Sequence, residues 1–268
     1  MVDRSLRPLI GAVSEAADHA LELWGGGTPR VMRWEKEPGH PVCDADIEVD
    51  GMLRDALTRI VPDAAWLSEE TADNDIRLTS DRLWIVDPID GTRDYLGGRP
   101  GWAVSVALIE RGVPVVGILV APARNEMWIA QAGKGAWRNG VPIVASSRQV
   151  MEGARVPADV LPRSDADLVA VAKPNSIALR MAMVAADEAD LLATLRWGNE
   201  WDIAAAALIA REAGACVTDA LGQPLTFNQP DPFALGILCC APAIHEEAVG
   251  RLAERARKAR DEKIGGKR

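Results

Sequence analysis

A chain of 268 residues, 48% of them hydrophobic and 26% charged, has enough apolar material for one large domain or two small ones, with the composition of a soluble globular protein. Thirty Lys and Arg against 39 Asp and Glu leave a formal net charge of −9. That excludes an electrostatic nucleic-acid binder, and it means that a polyanionic ligand must be drawn in locally, by bound cations or a few Arg and Lys.

Apolar residues at Leu6, Leu9, Ile10, Val13, Ala16, Ala17, Ala20, Leu21 and Trp24 recur at helical spacing and predict a helix over 4–24 that stops at Gly25-Gly26-Gly27. Those glycines are a helix stop rather than a phosphate cradle, which would need a strand before it and a helix after. Residues 28–43 are polar and are expected to be a mobile loop. A second helix is expected from Asp44 or Asp46 to about Ile60, then a short strand at Trp66-Leu67-Ser68 that ends on Glu69-Glu70. Residues 83–86 read as a buried strand, with Pro88 and Gly91 turning the chain as it leaves the sheet. Residues 103–110, 113–121, 127–131 and 136–137 form an expected antiparallel meander with turns at Arg111-Gly112 and Asn139-Gly140. Beyond about 150, strand candidates at 169–172, 191–195, 215–218 and 236–240 interleave with helices at 176–188, 202–213 and 244–258. The charged tail 261–268 is expected to fray. The sum is helices packed on sheets in two layered halves, 1–148 and 149–268.

No run approaches the ~18 apolar residues of a membrane span, and Met1-Val2-Asp3-Arg4 lacks a signal peptide's apolar core, so the expected location is cytoplasmic. Cys43, Cys216, Cys239 and Cys240 show no metal-type spacing; the adjacent pair reads as small buried hydrophobes. His19, His40 and His245 are scattered, and His19 and His245 read as structural. Chemistry at neutral pH is left to carboxylates, hydroxyls and metal. Nine Trp against two Phe and one Tyr is an unbalanced set that the sequence does not explain.

Asp87-Pro88-Ile89-Asp90-Gly91-Thr92 sets two carboxylates three residues apart beside a hydroxyl. Two anions crowded into a turn repel unless something positive lies between them, and such hard oxygen donors suit Mg²⁺ or Mn²⁺ rather than Zn²⁺. The local alternative is an Asx-type turn with solvated aspartates. Asp46 and Asp202, each at a helix start, read equally well as N-caps. Glu69-Glu70 side by side would be costly if buried unpaired.

Three blocks, Trp66-Leu67-Ser68-Glu69-Glu70, Trp84 to Thr92, and Trp201-Asp202-Ile203-Ala204-Ala205, resemble the inositol monophosphatase superfamily in order and spacing. Glu212-Ala213-Gly214-Ala215, Asp219, Gly222 and Pro224-Leu225 match its usual sequel. The resemblance covers nearly the whole chain. It implies an αβαβα sandwich of the inositol monophosphatase / sugar phosphatase type and a Mg²⁺-dependent, often lithium-sensitive phosphomonoesterase. By position it implies a first ion on Glu69, Asp87 and the Ile89 carbonyl, and a second on Asp87, Asp90 and Asp202. Glu69 would also hold a weaker third ion, with Glu70 behind it and Mn²⁺ a possible substitute for Mg²⁺. Asp46 and Thr92 match the pair that orients and deprotonates the attacking water, and the amides of Gly91 and Thr92 would face the phosphate oxygens. Two Mg²⁺ would cancel the four ligand carboxylates, and two-ion phosphate chemistry needs no catalytic His. Residues 25–40 are expected to form a flap over this site, with Glu35 and Glu37 near the third ion or simply solvated.

Leu67-Ser68-Glu69-Glu70 and Thr92-Arg93-Asp94-Tyr95 differ from the inositol phosphatases and resemble the 3′(2′),5′-bisphosphate nucleotidase branch, as do residues 102–109 and 117–122. The implied substrate is adenosine 3′,5′-bisphosphate, cleaved to AMP and phosphate. An inositol-1-monophosphatase, a histidinol-phosphate phosphatase and a broad sugar-phosphate phosphatase would share the same metal core. An inactive metal-binding regulatory homologue is the non-enzyme alternative. A second phosphate calls for a nearby cation, for which Arg93 and Lys173 are the candidates. Ser176 is placed as a pocket hydroxyl or a helix N-cap, and Glu200 as rim charge. The expected partner is a small phosphorylated substrate, with no nucleic-acid polymer and no integral membrane segment; a homodimer is admitted.

Overall fold

The computed structural model describes residues 3–37 and 40–265. Helix α1 (Arg7–Trp24) starts with Pro8 in its first turn and ends at Gly25, whose φ of +60° lets its N–H reach back to the Leu21 and Glu22 carbonyls. Strands β1 (Arg33–Glu37) and β2 (His40–Cys43) form an antiparallel pair before α2 (Asp44–Ile60). This hairpin stands where the sequence predicts a loop. Arg33-Trp34-Glu35-Lys36 is exposed throughout, so β1 has no buried face there to betray a strand.

Seven strands follow as one sheet in sequential order: β3 (Ala65–Ser68), β4 (Arg82–Asp90), β5 (Ala103–Glu110), β6 (Val113–Ala121), β7 (Glu126–Gln131), β8 (Gly135–Arg138) and β9 (Val141–Pro142). Only β3–β4 is parallel; the rest is the expected meander. β4 does not end before Pro88 but runs to Asp90. A bulge absorbs the proline, since Asp87 and Asp90 face Ser105 and Ala103, three residues against two. The turn comes at Gly91 and leads into the short helix α3 (Thr92–Leu96).

Alternate residues of β4 face opposite layers. Trp84 and Val86 pack with Val13, Ala17, Leu53 and Leu57 of α1 and α2, while Leu83 and Ile85 pack with Ala204 and Leu208 from the other side. That other layer holds α4 (Ile177–Ala185) and α5 (Glu200–Glu212). A Cβ on Gly117 of β6 would stand 2.7 Å from the Ala205 carbonyl oxygen, so Gly117 and the run Ala204–Ala207 let α5 lie directly on the sheet.

Between β9 and α4 lies a small parallel pair, β10 (Arg155–Pro157) and β11 (Val169–Val171). Beyond α4 and α5 comes a second sheet, β12 (Leu191–Asn199), β14 (Phe233–Cys240) and β13 (Cys216–Thr218) in that spatial order, covered by α6 (His245–Gly265). The layers read α1/α2, sheet, α4/α5, sheet, α6, the expected αβαβα sandwich. α5 starts two residues before the predicted Asp202. α6 runs past the predicted end at 258 through residues expected to fray, because Glu, Arg, Lys and Ala favour helix. Positions 266–268 of that tail lie outside the described residues. Among the described residues no helix is long and apolar enough to cross a membrane.

Candidate active site

Because β3 and β4 are parallel neighbours, their C-terminal ends open on the same edge of the sheet. Glu69 follows β3, Asp87 lies in β4, and the first turn of α5 delivers Asp202 from the opposite layer. One carboxylate oxygen from each of these three lies within 4.8 Å of the others. The Asx turn is present as well, with the Ile89 N–H donating to Asp87 Oδ1 at 3.0 Å, but its aspartates are buried rather than solvated. Thr92 Oγ1 donates to the Ile89 carbonyl at 3.1 Å.

Asp46 and Asp202 are not N-caps; each is the third helical residue, with Cys43 and Asn199 at the cap. Asp46 Oδ2 accepts the Cys43 N–H at 2.9 Å and the Cys43 thiol at 2.8 Å, and Asp202 Oδ2 accepts the Asn199 N–H at 3.0 Å. Each helix start is therefore closed by the carboxylate that faces the site.

Asp90 is not among the three clustered carboxylates. It turns to the start of α4, accepting from Ser176 Oγ at 2.5 Å, the Ala178 N–H at 2.8 Å and the Ile177 N–H at 3.3 Å. Ser176 is thereby withdrawn from a pocket: it is fully buried, and its hydroxyl also accepts the Leu179 N–H at 2.9 Å as the helix N-cap. Gly91, at φ +98°, permits this closure, since a Cβ there would stand 2.7 Å from the Gly101 carbonyl oxygen and 2.9 Å from the Ser176 nitrogen. Tyr95 is buried against Trp102 and donates to the Ala20 carbonyl at 2.9 Å, which fixes α3 on α1.

Burial drives the electrostatics. It pushes Glu69 up to about 8, with the charges of Asp202 and then Glu70 adding to it, and Asp202 up to about 7, with Asp90 adding. Asp87 rises well above the ordinary carboxylate range through burial and the charges of Glu69, Asp90 and Asp202. Burial raises Asp46 to about 6 against the opposing Cys43 bonds. Asp90 is raised by burial and partly relieved by Ser176 and the α4 amides. Carboxylates crowded and dried in this way are stable as anions only around a cation, and their hard oxygens suit a divalent ion.

Cations other than the predicted Arg93 and Lys173 also act on this cluster. Lys173 pairs with Asp159 at 2.5 Å, and Arg93 projects from an exposed position on α3. Lys36 of β1 instead donates to the Glu69 carbonyl at 3.1 Å and pairs with the Glu70 carboxylate, so the expected flap segment does reach the site. The Glu37 side chain, also expected there, lies outside the described residues. Arg180 of α4 donates to the Pro174 carbonyl at 2.8 Å and to that of Asn175, and its charge acts on Asp90. Arg196, in the bulge of β12, acts on Asp202. Arg180 was open to sequence reasoning, being one helical turn beyond the Ser176 cap, whereas Lys36 and Arg196 sit in irregular or polar strands that give no such signal. His19 bonds Glu48 and His245 bonds Thr218, both as structural residues.

Residues 4–259 match the inositol monophosphatase family. The chain belongs to that family. It is 34% identical over 260 residues to the fructose-1,6-bisphosphatase/inositol-1-monophosphatase of Thermotoga maritima, over 93% of this chain and 94% of that one. It is 33% identical over 229 residues to the 3′(2′),5′-bisphosphate nucleotidase CysQ of Escherichia coli K12, over 81% and 92%. The fold superposes on the extragenic suppressor protein suhB of Bartonella henselae with a TM-score of 0.80 at 27% identity, covering 93% and 98%. On the Thermotoga maritima IMPase the TM-score is 0.79 at 31% identity, covering 93% and 97%. As an inositol monophosphatase family member this chain is a metal-dependent phosphatase, and the acidic cluster is where an ion fits.

Proposed function

We propose that this phosphatase is a Mg²⁺-dependent 3′(2′),5′-bisphosphate nucleotidase that converts adenosine 3′,5′-bisphosphate to AMP and phosphate. The observation that carries the reading is a pair of guanidiniums whose charges reach the site, Arg180 of α4 acting on Asp90 and Arg196 of β12 acting on Asp202. A monophosphate whose one phosphoryl group sits on the metal cluster has no use for two further cations, whereas a second phosphate does, which favours a bisphosphate of a nucleoside or of a sugar. The role given to Arg93 or Lys173 on sequence grounds passes to these two. Similarity to CysQ supports the choice. An inositol-phosphate or sugar-bisphosphate phosphatase is the second reading, favoured by equal similarity to the Thermotoga maritima enzyme.

In this reading Glu69, Asp87, Asp90, Asp202 and the Ile89 carbonyl would hold Mg²⁺, two to three ions in all. The ions supply charge neutralisation for the phosphate and acidify water. Asp46 and Thr92 orient the attacking water and take its proton; both Cys43 bonds fall on Oδ2 of Asp46, which directs that work to Oδ1. The amides of Gly91 and Thr92 donate to the phosphate oxygens. Halves 1–148 and 149–268 then contribute to one site, the second through Asp202, Arg180 and Arg196.

A substrate panel in Mg²⁺ tests the proposal. At least a tenfold higher kcat/KM on adenosine 3′,5′-bisphosphate than on inositol 1-phosphate or fructose 1,6-bisphosphate is expected. Comparable efficiency on all three rejects the nucleotidase assignment.

A further inference from the structure

Glu69 and Asp202 come from different layers of the fold, 133 positions apart in sequence, and each meets the other's negative charge. Without an ion, two anions at this spacing would repel, yet the structure holds their oxygens within 4.8 Å. A chain of buried polar contacts opposes that repulsion. Arg77 lies in the 3₁₀ turn Asp75–Thr79, eight residues beyond Glu69, and only 1% of it is exposed. Its Nε and Nη2 grip the two oxygens of Asp73 at 2.7 Å each. Nη1 crosses to the C-terminal half and donates to Asn228 Oδ1 at 2.8 Å and the Gln229 carbonyl at 2.9 Å, while Asn228 Nδ2 returns a bond to the Arg77 carbonyl at 2.9 Å.

The same loop is held from its other side by Glu200, the first residue of α5 and two before Asp202. Glu200 Oε2 accepts the Asn228 N–H at 2.7 Å, Oε1 accepts the Gln229 N–H at 2.9 Å, and the Glu200 N–H donates to the Pro232 carbonyl at 2.9 Å. At the other end, Ser68 and Thr71, which flank Glu69-Glu70, both donate to Asp50 of α2. The two ligand-bearing segments are thus tied to one another through Arg77, the 228–230 loop and Glu200.

We propose that Arg77, Asn228 and Glu200 form a positioning clamp that holds Glu69 and Asp202 at ligand spacing before the metal arrives. Burying an arginine and a glutamate is a poor route to stability, since apolar replacements of similar size often do as well. Their geometry explains them better: a planar fork reading one carboxylate, one amide oxygen and one carbonyl fixes direction as well as distance. The ion then binds a site already assembled, and the assembly cost is carried by the fold. The clamp rests on the reading of Glu69 and Asp202 as metal ligands.

Calorimetric titration of the purified protein with Mg²⁺ alone separates this from a plain loop staple. Arg77→Lys keeps the charge and loses the fork; Glu200→Gln keeps the shape and loses one acceptor. Each is expected to weaken Mg²⁺ binding ten- to a hundredfold, the range typical when groups that orient ligands are altered. Because they act through one loop, the double variant should bind no more weakly than about the worse single one. Leu252→Ala, in the distant core under α6, lowers stability and should leave Mg²⁺ binding unchanged. Should Arg77→Lys fail to fold, Glu200→Gln alone decides. A folded variant that binds Mg²⁺ as tightly as the parent overturns the clamp. So does Leu252→Ala weakening binding as much as they do. A parent that binds no Mg²⁺ overturns the metal assignment and the clamp with it.

Discussion

Replacing Asp202 with Asn should stabilise the metal-free protein while destroying the enzyme. Burial, reinforced by the charge of Asp90, raises Asp202 from 3.8 to about 7, whereas the unfolded chain titrates near the ordinary value of ~3.9. The folded pKa lies above the unfolded one, so between about pH 4 and 7 the folded state binds the extra proton and stability falls as pH rises. The cost is absent in acid and complete above pH 7. Roughly three pKa units at ~1.4 kcal/mol each set an upper bound of about 4 kcal/mol. Glu69, Asp87 and Asp90 share this repulsion and relax when one member is neutral, so about half, ~2 kcal/mol, is the working figure. Asn keeps the shape and an oxygen for the Asn199 N–H, and its amide NH2 replaces an anion with a donor beside the Glu69 and Asp87 oxygens, so no new cavity offsets the gain. Urea unfolding in chelator, followed by tryptophan fluorescence, provides the assay. The variant should exceed the parent by about 2 kcal/mol at pH 8 and by less than half of that at pH 5. Added Mg²⁺ should stabilise the parent and not the variant. If Asp202→Asn is no more stable than the parent in chelator at pH 8, the argument that this cluster is assembled against its own charge is wrong.

Gly91→Ala should cost about 2–5 kcal/mol in chemical denaturation, combining a left-handed backbone with a Cβ forced against Gly101 and Ser176; a loss under 1 kcal/mol would show that the turn relaxes. Arg180→Ala should raise the KM for adenosine 3′,5′-bisphosphate roughly ten- to a hundredfold, the worth of one charge-assisted contact, and change that for inositol 1-phosphate far less. Equal changes on the two esters would remove Arg180 from second-phosphate binding. Phosphatase activity should vanish in chelator, return with millimolar Mg²⁺ (on the order of the usual working range) and fall with Li⁺; full activity in excess chelator would dismiss the metal.

Much of the fold was legible because its layers impose period. Leu6 to Trp24 repeat at helical spacing, and the strands 103–110 and 113–121 fall on either side of an Arg-Gly turn, since each must bury one face. The hairpin at 33–43 was not, because β1 is exposed from Arg33 to Lys36 and only Val42 and Cys43 at the end of β2 are buried, too few to leave a pattern. Pro88 misled for a different reason: a bulge can carry a proline through a strand, and bulges are written in pairing with β5, not in β4 itself. At the site, Glu69, Asp87, Asp90 and Asp202 were visible as residue types in a recurrent order. What they touch was not. Ser176 binding Asp90, Lys36 reaching Glu69 and Arg77 reaching Asn228 are contacts across 86, 33 and 151 positions, and no local rule reports on partners so distant.

The seating of α5 has a bearing on how substrate comes and goes. Ala205 lies on Gly117 with no room for a methyl group between them, and the same helix packs on β12, β13 and β14 behind it. A wedge so tight, shared by both sheets, leaves no hinge between the layers, and a clam-like closing of one half on the other would tear it out. Traffic through the site falls to the exposed strand β1, which Lys36 latches to the acidic rim. Lifting β1 there breaks the Lys36 contacts with Glu69 and Glu70 while Val42 and Cys43 of β2 stay in the core, so an edge strand can move while the carboxylates stay in register.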